Sequence, residues 1–559
     1  MKNGRHLTFL LFIPLLFQSC GKEKAIEEYL PTNTGLIMTL NTKRLGAKLM
    51  LDGEFNIDPK TAIAGVASFM DREVVRNFGK MMEEGSFEDK ELGISKYNNI
   101  VFYLSDDLKK DKRFAGVFFK LSDADKFNDF VEDQTKITDN FYLEKQDGYT
   151  EAVFAQKQFA LAWDDNVVLL VYPRNRSSRI NLKKHIASVF NLSPENCILQ
   201  DDNFTKMIES PSGISIFAQP PYLKYTNEFV PTAYMNEDVA YINAHLIFEK
   251  GKMEMKVAQF LHTDNIQAYS EILTGNNHQE LFGRLEEEEL VGFINFKYNR
   301  AILPKMMRSY DFRLAVRAAI LMLGTNENEL FTLTGGDAMI VYFNEIKSIR
   351  EVVTYETDSD GNRKEVRQPK VINAPGFVAE LNAQANTMHF LEHLSGQGLV
   401  KKDSIYYNLG EITGFDTYFH LQKDKLIITT DSRFLKKVKR RIIGEPTSDL
   451  HKLGTQYPIS SYLNFDKMAV KYPELTKLFV KKEHLTELNN TLSSMRFYVE
   501  PLDGQVIHSY FSLSFDDKDK NGFFPTVKVI EIMNRNLSEK NKRQKRREKA
   551  LADSKKEES

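Results

Sequence analysis

His389, Glu392 and His393 have the types and the spacing for metal-assisted hydrolysis. On a helix, residues four apart share a face, so the two imidazoles could bind one zinc ion while Glu392 takes a proton from a metal-bound water. Such a site needs a third protein ligand, and Glu474 and Glu483 are the downstream carboxylates that could supply it. The plainer reading of the segment is a solvated helix face, because Phe390, Leu391 and Leu394 recur as one buried stripe. On that reading the chain needs no metal and no cofactor.

A second chemistry is acylation. Lys2, Arg5 and His6 precede an apolar run from Leu7 to Phe17, which Pro14 interrupts. The run is too short to span a bilayer, so residues 1–19 read as a signal peptide. Leu16-Phe17-Gln18-Ser19-Cys20-Gly21 resembles a bacterial lipobox. That resemblance implies cleavage before Cys20, lipid on its thiol, and a tether over 20–28. Gly21, rather than Asp, follows the cysteine, which favours the outer membrane of the cell envelope. Periplasmic and surface-facing placements both stay open.

Three further resemblances bear on function. His389-Phe390-Leu391-Glu392-His393 is similar to the inverzincin phrase of pitrilysin-type zinc peptidases. It implies zinc held by His389, His393 and Glu474, with Glu392 as general base, although the glycine-rich strand that precedes the phrase in those enzymes is missing here. Asp403-Ser404-Ile405 resembles a Bacteroidetes O-glycosylation sequon, with Ser404 as acceptor. Tyr29-Leu30-Pro31-Thr32-Asn33-Thr34, followed by Leu36-Ile37-Met38-Thr39-Leu40-Asn41, resembles the mature start of large Bacteroidetes lipoproteins of unknown function. This last likeness implies a compartment, the outer-membrane envelope, and no catalytic residues.

Composition bounds the rest. A chain of 559 residues, 42% hydrophobic and 27% charged, has material for several cores. Its net charge of −2 argues against a nucleic-acid partner. With Cys20 acylated, Cys197 stands alone and reads as a small buried hydrophobe. No GxGxxG or Walker glycine loop follows a strand, which removes support for nucleotide-binding α/β folds. The basic run from Lys540 to Lys549 reads as a solvated helix end, with anionic headgroups or glycans as the alternative.

The elements that carry these residues repeat. Ile100–Tyr103 and Phe118–Leu121 have counterparts in Ile340–Phe343 and Val378–Leu381. Asp129-Phe130-Val131-Glu132-Asp133 corresponds to the helix with the histidines, so the same element exists without them. The pattern predicts an α+β fold of two tandem, internally duplicated units, 29–275 and 286–535, mostly antiparallel sheet with helices packed on one face. An inserted hairpin, 351–372, belongs to the second unit only, and 536–559 is a charged, disordered tail. The reading that follows is a non-enzymatic, lipid-anchored scaffold that binds another protein or an envelope or host polymer. The alternative is the zinc peptidase.

Overall fold

The computed structural model describes residues 24–532 apart from 46–92, 96–97, 108–111, 138–140, 155–159, 174–178, 210–211, 220–237, 275–277, 299–332, 358–362, 404–405, 410–415, 441–447 and 472–481. The signal peptide 1–19, Cys20, Ser404, Glu474, the hairpin tip 358–362 and the tail 536–559 lie outside the described residues. Packing divides the chain into two compact units, Met1–Tyr222 and Leu223–Ser559. Among the described residues no helix is long and apolar enough to cross a membrane.

In the first unit β1 (Thr34–Asn41), β2 (Asn99–Asp107) and β3 (Lys112–Lys120) are followed by helix α1 (Ala124–Ile137). Then come β4 (Phe141–Lys145), β5 (Thr150–Phe154), β6 (Ala160–Trp163), β7 (Val167–Pro173), helices α2 (Arg179–Phe190) and α3 (Asp202–Ile208), and β8 (Ile214–Ala218). The strands pair antiparallel in the order β8–β1–β2–β3–β7–β6–β5–β4. A register shift in the β1–β2 ladder falls between Thr34 and Leu36. Val167 to Val171 are all buried, so β7 is covered on both faces and reads as a continuous apolar run. Gly116 is required beside it: a Cβ there would lie 2.1 Å from the Tyr103 ring.

Part of the segment expected as a tether already belongs to this unit. Residues 26–29 form a 3-10 turn with Ile26 and Tyr29 buried, Tyr29 Oη donates to Asp164 at 2.6 Å, and Lys120 Nζ donates to the Lys24 carbonyl at 3.0 Å.

In the second unit β9 (Val239–Glu249) and β10 (Lys252–Leu261) form a hairpin, followed by the short helix α4 (Gln279–Phe282). β11 (Leu290–Tyr298), β12 (Thr334–Thr357) and β13 (Arg363–Ala383) lead to helix α5 (Ala385–Gly396). β14 (Lys401–Lys402), β15 (Tyr407–Asn408), β16 (Tyr418–Gln422) and β17 (Lys425–Thr429) precede helices α6 (Ser432–Lys439) and α7 (Asp449–Gln456). β18 (Ile459–Asn464), β19 (Leu492–Val499) and β20 (Val506–Phe515) are the remaining described strands, and residues 523–532 after them are helical. The antiparallel order is β9–β10–β20–β19–β18–β11–β12–β13–β17–β16–β15–β14. The division between units thus falls inside the segment 29–275 that the sequence presents as one body. Its physical reason is the β10–β20 ladder, which runs from Lys252–Ser514 to Phe260–Val506.

One core of this unit packs Phe282, Phe293, Met339, Val341, Val378, Ile427 and Phe434 together, and a second packs α5 through Phe390, Leu391 and Leu394 against Tyr407 and Leu426. β12 and β13 outrun the sheet. Their pairing continues from Ile346–Ala374 to Thr357–Arg363, whereas β2 and β3 stop at Asp107–Lys112.

Candidate functional site

α5 displays the three residues whose spacing suggested zinc. Thr387, Phe390, Leu391 and Leu394 face the core, and His389, Glu392 and His393 are exposed. The Gln397 amide hydrogen-bonds His393 Nε2 at 2.9 Å, one turn on, and Lys402 Nζ lies 3.4 Å from Glu392 Oε1. Both members of that ion pair are more than half exposed, so it contributes little. Glu474 lies outside the described residues, as does the side chain of Glu483. Among the described residues no group of three His, Cys, Asp or Glu is placed to hold a metal ion.

A different set of ionisable groups does converge. Glu380 of β13 is 3% exposed, on the row of facing residues that also holds Ser460, Asn295, Met339 and Ile427. His278, just before α4, is fully buried and its Nδ1 lies 2.9 Å from Glu380 Oε1; Lys425 Nζ lies 3.3 Å from the same oxygen. Burial acts to raise the Glu380 pKa, but the His278 hydrogen bond and charge, with Lys425, outweigh it and hold the carboxyl below its usual range. On the next row of the same face, Lys297 stands opposite Asp337 at 3.7 Å and donates to Thr274 Oγ1 at 2.5 Å. Neither Asp337 Oδ1 nor Asn295 Oδ1 has a hydrogen-bond partner among the described residues. This cluster can hold a proton or keep a buried negative charge. It is assembled from positions 278, 380 and 425, and no local spacing announces it.

A cavity of about 160 Å³ opens near α6, lined by Arg284, Glu286, Glu289, Asp431, Arg433 and Lys437 among others. Its cations are largely matched: Arg433 grips Asp431 through Nε and Nη2, and Lys437 reaches Glu286 at 2.7 Å. Arg284 is 4% exposed and bonds Glu280 through Nη2, while its Nε has no hydrogen-bond partner among the described residues.

The first unit holds a buried His of its own. His185 Nε2 shares a 2.9 Å hydrogen bond with Tyr103 Oη, and its ring stacks on Phe114 at 4.1 Å. Burial pushes its pKa down to about 4 and pushes that of Tyr103 up. Cys197 is buried, and Pro31 pairs with it in an isolated bridge.

A family model described as a domain of unknown function (DUF4836) matches residues 27–283. The match fits an uncharacterised family and brings no activity. No curated protein matches the chain. Two solved structures, crystal forms IV and I of TP0453, are similar to it at 8% identity. The first covers 45% of this chain and 87% of that one with a TM-score of 0.26, and the second 44% and 81% with 0.27.

Proposed function

We propose that this chain is a lipid-tethered, non-enzymatic envelope protein that binds another protein, or an envelope or host polymer, through its second unit. The observation that carries the reading is the ribbon made by β12 and β13 beyond the sheet. Val353, Tyr355 and Val371 are 44%, 67% and 57% exposed there, three of the seven large hydrophobics exposed among the described residues. The register puts all three on one face of the ribbon. Clustered exposed apolar groups on a projecting element are a feature of binding surfaces.

The body beneath the ribbon is, in this reading, one α+β unit present twice, with helices on one sheet face. The support is register. The order β8–β1–β2–β3–β7–β6–β5–β4 recurs as β18–β11–β12–β13–β17–β16–β15–β14. The ladder shift at Thr34/Leu36 recurs at Leu290/Gly292, and the buried pair Thr39–Ser215 recurs as Asn295–Ser460. In that frame Phe118 and Val167 occupy the places of Glu380 and Lys425, and the ribbon has no counterpart.

Crosslinking and affinity capture from intact envelopes tests the reading. The full chain should retain specific components that a variant with 346–374 replaced by a short turn loses. Equal capture by both would remove the ribbon from the function. Stoichiometric zinc in protein purified without added metal, lost in His389→Ala/His393→Ala, would promote the peptidase reading.

A further inference from the structure

The ribbon's two long edges differ in a way that selects a partner. On β13, Arg363, Lys364, Arg367 and Lys370 are exposed, and Pro369 offers no backbone N–H. Cationic side chains and proline are the devices by which proteins keep further strands from adding to an edge. β12 has neither between Glu351 and Thr357, where it reads Glu-Val-Val-Thr-Tyr-Glu-Thr. Beyond Phe343, no described strand other than β13 pairs with β12.

The order of charge along that open edge is self-complementary. Two identical strands that pair antiparallel are related by a two-fold axis, so each residue meets the one at equal distance on the other side of the axis. With Val353 on the axis, Arg350 meets the partner's Glu356 twice, and Val352 meets the partner's Thr354 twice. The single ribbon also has something to gain. The register sets position 350 opposite position 370, both cationic in the sequence, so a carboxylate brought to that row by a second copy would be matched in charge. The β13 edge, with four cations and one proline, offers no such match.

We propose that the outer edge of β12 pairs antiparallel with the same edge of a second copy of this chain, centred on Val353. The inference rests on the reading of the ribbon as the binding element and names its partner. Nine residues, Ile349 to Thr357, would pair with their copies over roughly 30 Å.

Sedimentation of the full-length chain in non-ionic detergent tests it by charge reversal. The wild type should be a dimer. R350E and E356R should each weaken the dimer by about tenfold or more, because each creates two like-charge pairs across the axis (E356R also sets an arginine opposite Lys364 of its own ribbon), and R350E/E356R should restore it. R350E simultaneously puts a carboxylate opposite Lys370, so its own ribbon should exchange amide hydrogens more slowly; loss of the dimer in that variant is therefore not loss of the fold. V353C should form a symmetric disulfide on mild oxidation, whereas V371C on the β13 strand should not; the native Cys197 is buried. A chain that is monomeric at every concentration, a dimer indifferent to both reversals, or V371C linking as readily as V353C would overturn the proposal. Ribbon-dependent capture of other envelope components by a persistent monomer would overturn the second-copy inference alone. Capture and sedimentation that both ignore removal of the ribbon would overturn the binding reading with it.

Discussion

Glu380 and the pair His389/His393 show how differently the same residue types behave when burial differs. Glu380 carries a negative charge in a site that, on the proposed duplication, Phe118 fills in the first unit at 0% exposure. A buried ion pair is rarely better than apolar packing of similar volume, but removing one partner strands the other. Glu380→Ala should therefore cost about 3 kcal/mol, and Glu380→Leu/Lys425→Val distinctly less, in urea unfolding followed by hydrogen exchange of β13. If the double variant is the worse of the two, the cluster is structural and the comparison with Phe118 fails. His389 and His393 are exposed, so replacing both by Ala should change stability by no more than about 0.5 kcal/mol in the same assay. A larger loss, reversed by added zinc, would reveal a metal. Sequence spacing drew attention to the exposed helix because i, i+3 and i+4 are visible in a line of letters. Three buried groups contributed by three separate elements are not.

At the scale of elements, acid should act on the two units in different windows. His185 is held neutral in the fold with a pKa of about 4 against an ordinary 6.5, so the unfolded chain binds more protons between those values. Stability of the first unit should fall as pH drops from 6.5 towards 4 and level off below, by about 3 kcal/mol in all. Glu380 is depressed, so its contribution is present above the ordinary 4.5 and is lost only as pH falls below that. Trp163, the chain's single tryptophan, is 2% exposed and donates to Asn128 in α1, so its fluorescence follows the first unit alone. Its urea midpoint should drop between pH 6.5 and 4, and His185→Phe should flatten that dependence; an unchanged slope would refute the assignment to His185. The strands that build these environments were legible as elements and less so as registers. The words Ile100–Tyr103 and Ile340–Phe343 match by letter, yet Tyr103 pairs with Ile37 and Val341 with Phe293, so on the proposed duplication Tyr103 and Val341 are the equivalent residues. An apolar strand pattern resembles itself after a slip of two residues, which keeps every side chain on its face. The long hairpin is legible for the opposite reason: on the proposed duplication it breaks the spacing between the matching words, whatever its register.

For the whole molecule the decisive residue is Cys20, which ties a water-exposed body to a membrane if the lipobox resemblance holds. The body begins close to it. Lys24 lies 4.1 Å over the Tyr29 ring, and its carbonyl is held by Lys120, so the packed body reaches back at least to Lys24. Four residues, 20–23, reach at most about 14 Å when extended. If Cys20 carries the lipid, a first unit leashed by so few residues should stand against the headgroups, and a protease should have little room to cut. Cys20→Ala should send the chain to the soluble fraction or leave an uncleaved precursor, because the variant lacks the thiol that would carry the lipid; intact-mass analysis finding a mature start elsewhere would sink this. In isolated membranes, protease should release the wild-type body slowly. Inserting about ten Gly/Ser residues after Gly21 should leave attachment intact, since the lipid is untouched, yet speed that release severalfold by exposing a flexible segment. Equal rates for the two chains would mean that the leash is already open, with the packing of Lys24 and Tyr29 on the body lost at the membrane. Slow release that also survives Cys20→Ala would mean that something other than the thiol lipid holds the protein down.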